Sequence, residues 1–82
     1  MYIVITGASK GIGLELTRQG LKKGHHVLAV VRNFSLADEL QSLRKEFKAL
    51  EILDIDLKAS DAQDEIAAKV SSWPCVDALI NN

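Results

Sequence analysis

The 82-residue chain is 48% hydrophobic and 26% charged, an ordinary globular composition with room for one small domain over residues 1–82. Its formal net charge of -1 argues against a general attraction to nucleic acid or to an anionic membrane surface. No apolar run approaches the roughly 20 residues that span a bilayer, Met1 leads almost directly into a strand-like segment with no leader expected, and a single cysteine, Cys75, fits a reducing, cytoplasmic compartment.

In chain order, Tyr2 to Thr6 is a short apolar, β-prone run. Gly7-Ala8-Ser9-Lys10-Gly11-Ile12-Gly13 follows as a glycine-rich turn that opens a helix expected over Gly11 to Lys23. Ile12, Leu16 and Gly20 form its i, i+4, i+8 stripe, and Gly24 supplies a C-terminal stop. Gly20 would allow close helix–sheet packing at a cost of about 1 kcal/mol of helix propensity relative to alanine. A second strand is expected at His26 to Val31.

The next helix, Leu36 to Phe47, places Leu36, Leu40, Leu43 and Phe47 on one face, with Ser35 and Asp38 resembling a capping box. Its charged residues read as a solvated surface. Leu50 to Asp54 is the third strand. Asp61 to Ser72 is the third helix, with Ser60 and Gln63 as a capping pair, Ala62, Ile66 and Val70 as its stripe, and Pro74 as its stop. Trp73 is expected to pack the end of this helix against the sheet. Asp77 to Asn81 completes a β-α-β-α-β-α-β pattern.

Short, continuously apolar strands separated by helices suit a parallel α/β sheet buried on both faces. Right-handed crossovers then give the order 3-2-1-4, a partial Rossmann fold whose ligand crevice lies beyond the carboxyl ends of strands 1 and 4. The segments 6–13 and 81–82 both end there.

A strand, a glycine turn and a helix N-terminus together make a phosphate cradle. Glycines let the backbone turn sharply and approach a ligand without a Cβ in the way. The spacing G-x-x-x-G-x-G is neither the common dinucleotide fingerprint nor a P-loop, and a tight turn without a ligand would use the same glycines. About 20 residues beyond such a turn, dinucleotide-binding domains present the side chain that meets the adenosine ribose. Here the second strand ends in Val30-Val31-Arg32-Asn33, with no acid. Arg32 suits a 2′-phosphate, and Lys10 offers a second positive charge, so NADP is favoured over NAD. An ordinary surface arginine and lysine are the alternatives. His25 and His26 have no Cys or acid at metal-ligand spacing and read as a turn; no metal site is expected. Cys75 has no base candidate nearby and reads as an inert thiol.

The segment from Thr6 to Gly13 resembles the T-G-x-x-x-G-x-G motif of the classical short-chain dehydrogenase/reductase family. Asp56-Leu57 resembles that family's acidic-plus-aliphatic pair, and Asp77-Ala-Leu-Ile-Asn-Asn82 resembles the beginning of its N-N-A-G motif. Residues 24–33 are most similar to the C-factor-like carbonyl reductase subgroup. By this resemblance Gly7, Ser9, Lys10, Gly11, Ile12 and Gly13 would surround the adenosine ribose and pyrophosphate. Lys10 and Arg32 would hold the 2′-phosphate, with Asn33 close by. Asp56 would accept from the adenine amino group, and the Leu57 backbone would support the ring. Asn82 would lie against the ribose, while Asn81 would brace neighbouring strands.

The family's proton-donating Tyr, the Lys four residues after it and the substrate-orienting Ser lie beyond N-N-A-G. The sole tyrosine here, Tyr2, is followed four residues later by Thr6. The resemblance thus implies the N-terminal, cofactor-binding part of an NADP-dependent oxidoreductase acting on a carbonyl or alcohol, with no catalytic residues in these 82 positions. The alternative is a nucleotide-binding or self-associating module without catalysis. Either way, an open fourth strand favours a homo-oligomer.

Overall fold

The computed structural model describes residues 1–34 and 37–81. Its elements are β1 (Tyr2–Thr6), α1 (Gly11–Lys22), β2 (His26–Val31), α2 (Asp38–Glu46), β3 (Leu50–Asp54), α3 (Ala62–Lys69) and β4 (Ala78–Ile80). The strands form one parallel sheet of order β3-β2-β1-β4. This is the expected partial Rossmann topology. Ser35, Leu36 and Asn82 lie outside the described residues, and with them the Ser35 cap, one member of the second helical stripe and the last site residue.

The two sheet faces follow from side-chain alternation along the strands. Ile3 and Ile5 of β1 and Val27, Ala29 and Val31 of β2 join Leu14 and Leu21 of α1 and Leu40 and Leu43 of α2 in one core cluster. Val4, Leu28, Val30 and Leu53 point the other way, where Ile66 of α3, Val70 and Trp73 pack on them. Helices on both faces are what allow β2 to be apolar and buried from Val27 to Val31. Trp73 also contacts the Tyr2 ring, with centroids 5.1 Å apart.

Two local expectations are corrected. On α1 the buried positions are Gly13, Leu14, Thr17, Gly20 and Leu21, whereas Ile12 is 71% and Leu16 38% exposed. The helix lies on its small residues instead. A Cβ on Gly20 would already be in ordinary contact with Val27 Cγ2 at 3.4 Å, so a side chain reaching beyond Cβ would press on the sheet. The Thr17 hydroxyl, fully buried, donates to the Gly13 carbonyl.

The Ser60–Gln63 capping pair does not form. Asp61 is the N-cap of α3 and makes no side-chain cap hydrogen bond. Two consecutive backbone turns, Ala59 N–H to the Asp56 carbonyl and Ala62 N–H to the Ala59 carbonyl, lead into the helix instead. The helix closes at Lys69, short of the expected Ser72, and turns through Val70 to Trp73 follow before Pro74 is reached.

Candidate cofactor site

Parallel pairing brings the carboxyl ends of β1, β2 and β3 to the same edge of the sheet. Thr6 is in register with Val30, and Val31 with Asp54. The Ile55 N–H extends the β2–β3 ladder by bonding the Val31 carbonyl at 2.8 Å. This bond fixes the segment carrying Asp56 beside the one carrying Arg32. The latter is anchored in turn: the Phe34 N–H donates to the Asp54 carboxylate and Gln41 donates to the Phe34 carbonyl.

Between β1 and α1 the chain turns through Gly7 and Gly11, both at φ 62. That left-handed backbone is strained for residues with a Cβ, although a Cβ on Gly11 would meet no atom within 4 Å. Gly11 is therefore required by conformation rather than by space. Lys10 is the N-cap of α1 in extended conformation, with no side-chain cap and no acid in the first turn. By contrast, the first turns of α2 and α3 carry Asp38 and Glu39, and Asp64 and Glu65. The dipole of α1 alone meets no carboxylate of its own first turn, which favours an anion from outside.

Two cavities adjoin at this edge. The first, about 260 Å³, is lined by Gly7, Ser9, Val30, Val31, Arg32, Ile55, Asp56, Leu57 and Lys58. The second is lined by Ser9, Lys10, Arg32 and Asn33. Ser9 and Arg32 belong to both. One compartment therefore has apolar walls from the ends of β2 and β3, and its neighbour is polar and cationic. The ion pairs formed among the described residues are Arg18–Glu15 and Arg18–Glu39, on the α1–α2 surface. Hence no carboxylate of the described residues neutralises Lys10 or Arg32.

Seven of the sequence-derived site residues line these cavities: Gly7, Ser9, Lys10, Arg32, Asn33, Asp56 and Leu57. Gly11, Ile12 and Gly13 lie in the first turn of α1 and line neither, with the Ile12 side chain turned to solvent. Asn81 follows β4, and its side-chain oxygen accepts from the Thr6 hydroxyl at 2.9 Å, tying the ends of β4 and β1 together. Asn82 is outside the described residues. Val30, Val31, Ile55 and Lys58 were missed. The valines read as strand core, and the one available signal for Ile55 was an apolar residue continuing past the end of β3.

The opposite end of the sheet is structural. The His26 ring stacks on Tyr2 with centroids 4.7 Å apart, and His25 Nδ1 lies 2.9 Å from the Met1 amine. Among the described residues no cluster of three His, Cys, Asp or Glu could hold a metal. Partial desolvation raises the Cys75 thiol above its ordinary value, and the Asp77 carboxylate beside it adds to the rise. Such a thiol is a poor nucleophile at neutral pH. No helix of the described residues is long and apolar enough to cross a membrane.

Residues 1–82 match the short chain dehydrogenase family. A protein of Dichelobacter nodosus described as a probable NADP-dependent dehydrogenase is 34% identical over the whole chain, which spans 76% of that relative. A very-long-chain 3-oxoacyl-CoA reductase of Meyerozyma guilliermondii is 38% identical over 99% of the chain, which spans 25% of that relative. The crystal structure of a carbonyl reductase from Pseudomonas aeruginosa PAO1 in complex with NADP superposes with a TM-score of 0.91 at 33% identity, covering 99% of this chain and 37% of that one. The match along the whole chain, with the sheet order and the glycine turn, makes the chain a member of the short chain dehydrogenase family of oxidoreductases.

Proposed function

We propose that this chain binds NADP in preference to NAD and forms the cofactor-binding part of an oxidoreductase that transfers hydride between the nicotinamide and a carbonyl or alcohol. The carrying observation is the pair of adjoining cavities sharing Ser9 and Arg32, one apolar and one cationic. An adenine ring suits the first, with Asp56 accepting from its amino group and Leu57 beneath it. A ribose 2′-phosphate suits the second, where Lys10 and the planar fork of Arg32 supply charge-assisted hydrogen bonds. The pyrophosphate suits the uncapped N-terminus of α1.

When bound, the cofactor supplies the hydride. The residues of this stretch bind and orient it, and proton transfer falls to the family's Tyr and Lys, which are not among these 82 residues. On this reading the stretch has no turnover by itself. Calorimetric titration is expected to give NADP at least about tenfold tighter than NAD, the scale of one charged hydrogen-bonded contact. Equal affinities would sink the 2′-phosphate assignment.

One observation favours self-association as well. Leu79 of β4 is 65% exposed on the face that α3 covers elsewhere, and the far side of β4 has no strand paired to it among the described residues. Light scattering on the isolated 82-residue chain is expected to report a dimer or larger species. A monodisperse monomer would exclude it.

A further inference from the structure

We infer that Lys58 is an additional cofactor-binding residue, a cover for the adenine base that acts alike on NADP and NAD. The inference rests on the cofactor reading above. Lys58 lines the apolar cavity together with Arg32, but it does not line the polar one that holds Lys10 and Asn33. Its backbone is pinned while its side chain is exposed. The Lys58 N–H donates to Asp56 Oδ1 at 2.9 Å, and the Ala59 N–H donates to the Asp56 carbonyl at 2.9 Å.

This turn has two consequences. It fixes the Asp56 carboxylate through Oδ1 and leaves Oδ2 with no partner among the described residues, open to accept from an adenine amino group. It also starts the Lys58 side chain from a fixed point at the cavity wall. A lysine stem lies readily along apolar surface while its ammonium stays in water, and a cation over a π face is attracted to it. No carboxylate of the described residues forms an ion pair with Lys58. Its charge is therefore free for a ligand. Arg32 reaches the same cavity from the segment after β2, and Lys58 from the segment after β3. A base in that cavity contacts both.

The test is titration of the protein and its Lys58→Ala and Lys58→Met variants with NADP and with NAD. Lys58→Ala is expected to weaken both dinucleotides by the same factor, about two- to fivefold, the range of an exposed cation–π contact. Lys58→Met, which keeps the stem and loses the charge, is expected to fall between alanine and wild type. Unchanged affinity in Lys58→Ala would overturn the inference. A loss confined to NADP would also overturn it, by moving the ammonium to the 2′-phosphate. Absence of dinucleotide binding by the unsubstituted protein would instead overturn the cofactor reading itself.

Discussion

Arg32→Asp is expected to weaken NADP binding by roughly ten- to a hundredfold, with NAD affinity changing by less than about fivefold. A hydrogen bond to a charged group contributes about 1.5–3 kcal/mol, and each 1.4 kcal/mol is a factor of ten in affinity. The substitution removes the planar donor fork and sets a carboxylate against the 2′-phosphate. Toward NAD the sign differs, because an aspartate at the end of β2 can accept from the free 2′-hydroxyl. Arg32 also lines the apolar cavity, so a modest common loss for both dinucleotides accompanies the selective one. Competition binding with the two cofactors on one protein sample separates these effects. Equal weakening would remove the 2′-phosphate role from Arg32.

Leu28→Ala carries the largest expected effect on stability. Leu28 is fully buried in β2 beside Val4, Val30 and Leu53, beneath the face that α3 covers. Removing most of a core leucine costs about 2–5 kcal/mol when the surroundings cannot collapse into the space. Strand β2 is paired on both sides and cannot shift. A domain of this size buries only about 60% of the surface its unfolded chain exposes, and total stabilities are about 5–15 kcal/mol. Urea unfolding is expected to show a strongly lowered midpoint with an unchanged slope. A loss below about 1 kcal/mol would mean that the two-faced core is described wrongly.

Much of the frame was legible because strands buried on both faces leave a plain mark in the sequence. Tyr2–Thr6, His26–Val31 and Leu50–Asp54 are short runs dominated by apolar residues, and they fold as read. The fourth strand, Ala78–Ile80, is shorter than the expected Asp77 to Asn81. The Asp77 carboxylate accepts from the Tyr2 N–H and its own N–H donates to the Tyr2 carbonyl, so this residue serves β1 before β4 begins.

The buried face of α1 was misread for a definite reason. Ile12 and Leu16 fit a helical apolar stripe, but Gly13, Thr17 and Gly20 form a parallel one. The small residues win because they bring the helix axis closer to β2. Hydrophobicity alone does not distinguish the two faces.

At the candidate site, several residues recognisable by chemistry and spacing were legible as cavity-lining positions. Lys10 and Asn33 line the cationic cavity, Asp56 and Leu57 the apolar one, and Arg32 both. Lys58 was not, because its place depends on the turn that Asp56 makes with its own side chain. A single lysine after an acid carries no pattern that distinguishes a cavity wall from a solvated surface. The division into an apolar and a cationic compartment depends on the packing of three strand ends, which no local motif encodes.

The central claim is that the edge formed by the ends of β1, β2 and β3 binds NADP. It is tested most directly by amide chemical-shift mapping of the isotopically labelled protein during titration with NADP. The largest saturable shifts are expected at Gly7, Ser9, Lys10, Arg32, Asn33 and Asp56 to Lys58, with little change near Tyr2, His26 and Cys75 at the opposite end of the sheet. Shifts concentrated at that opposite end, or none that saturate, would contradict the account.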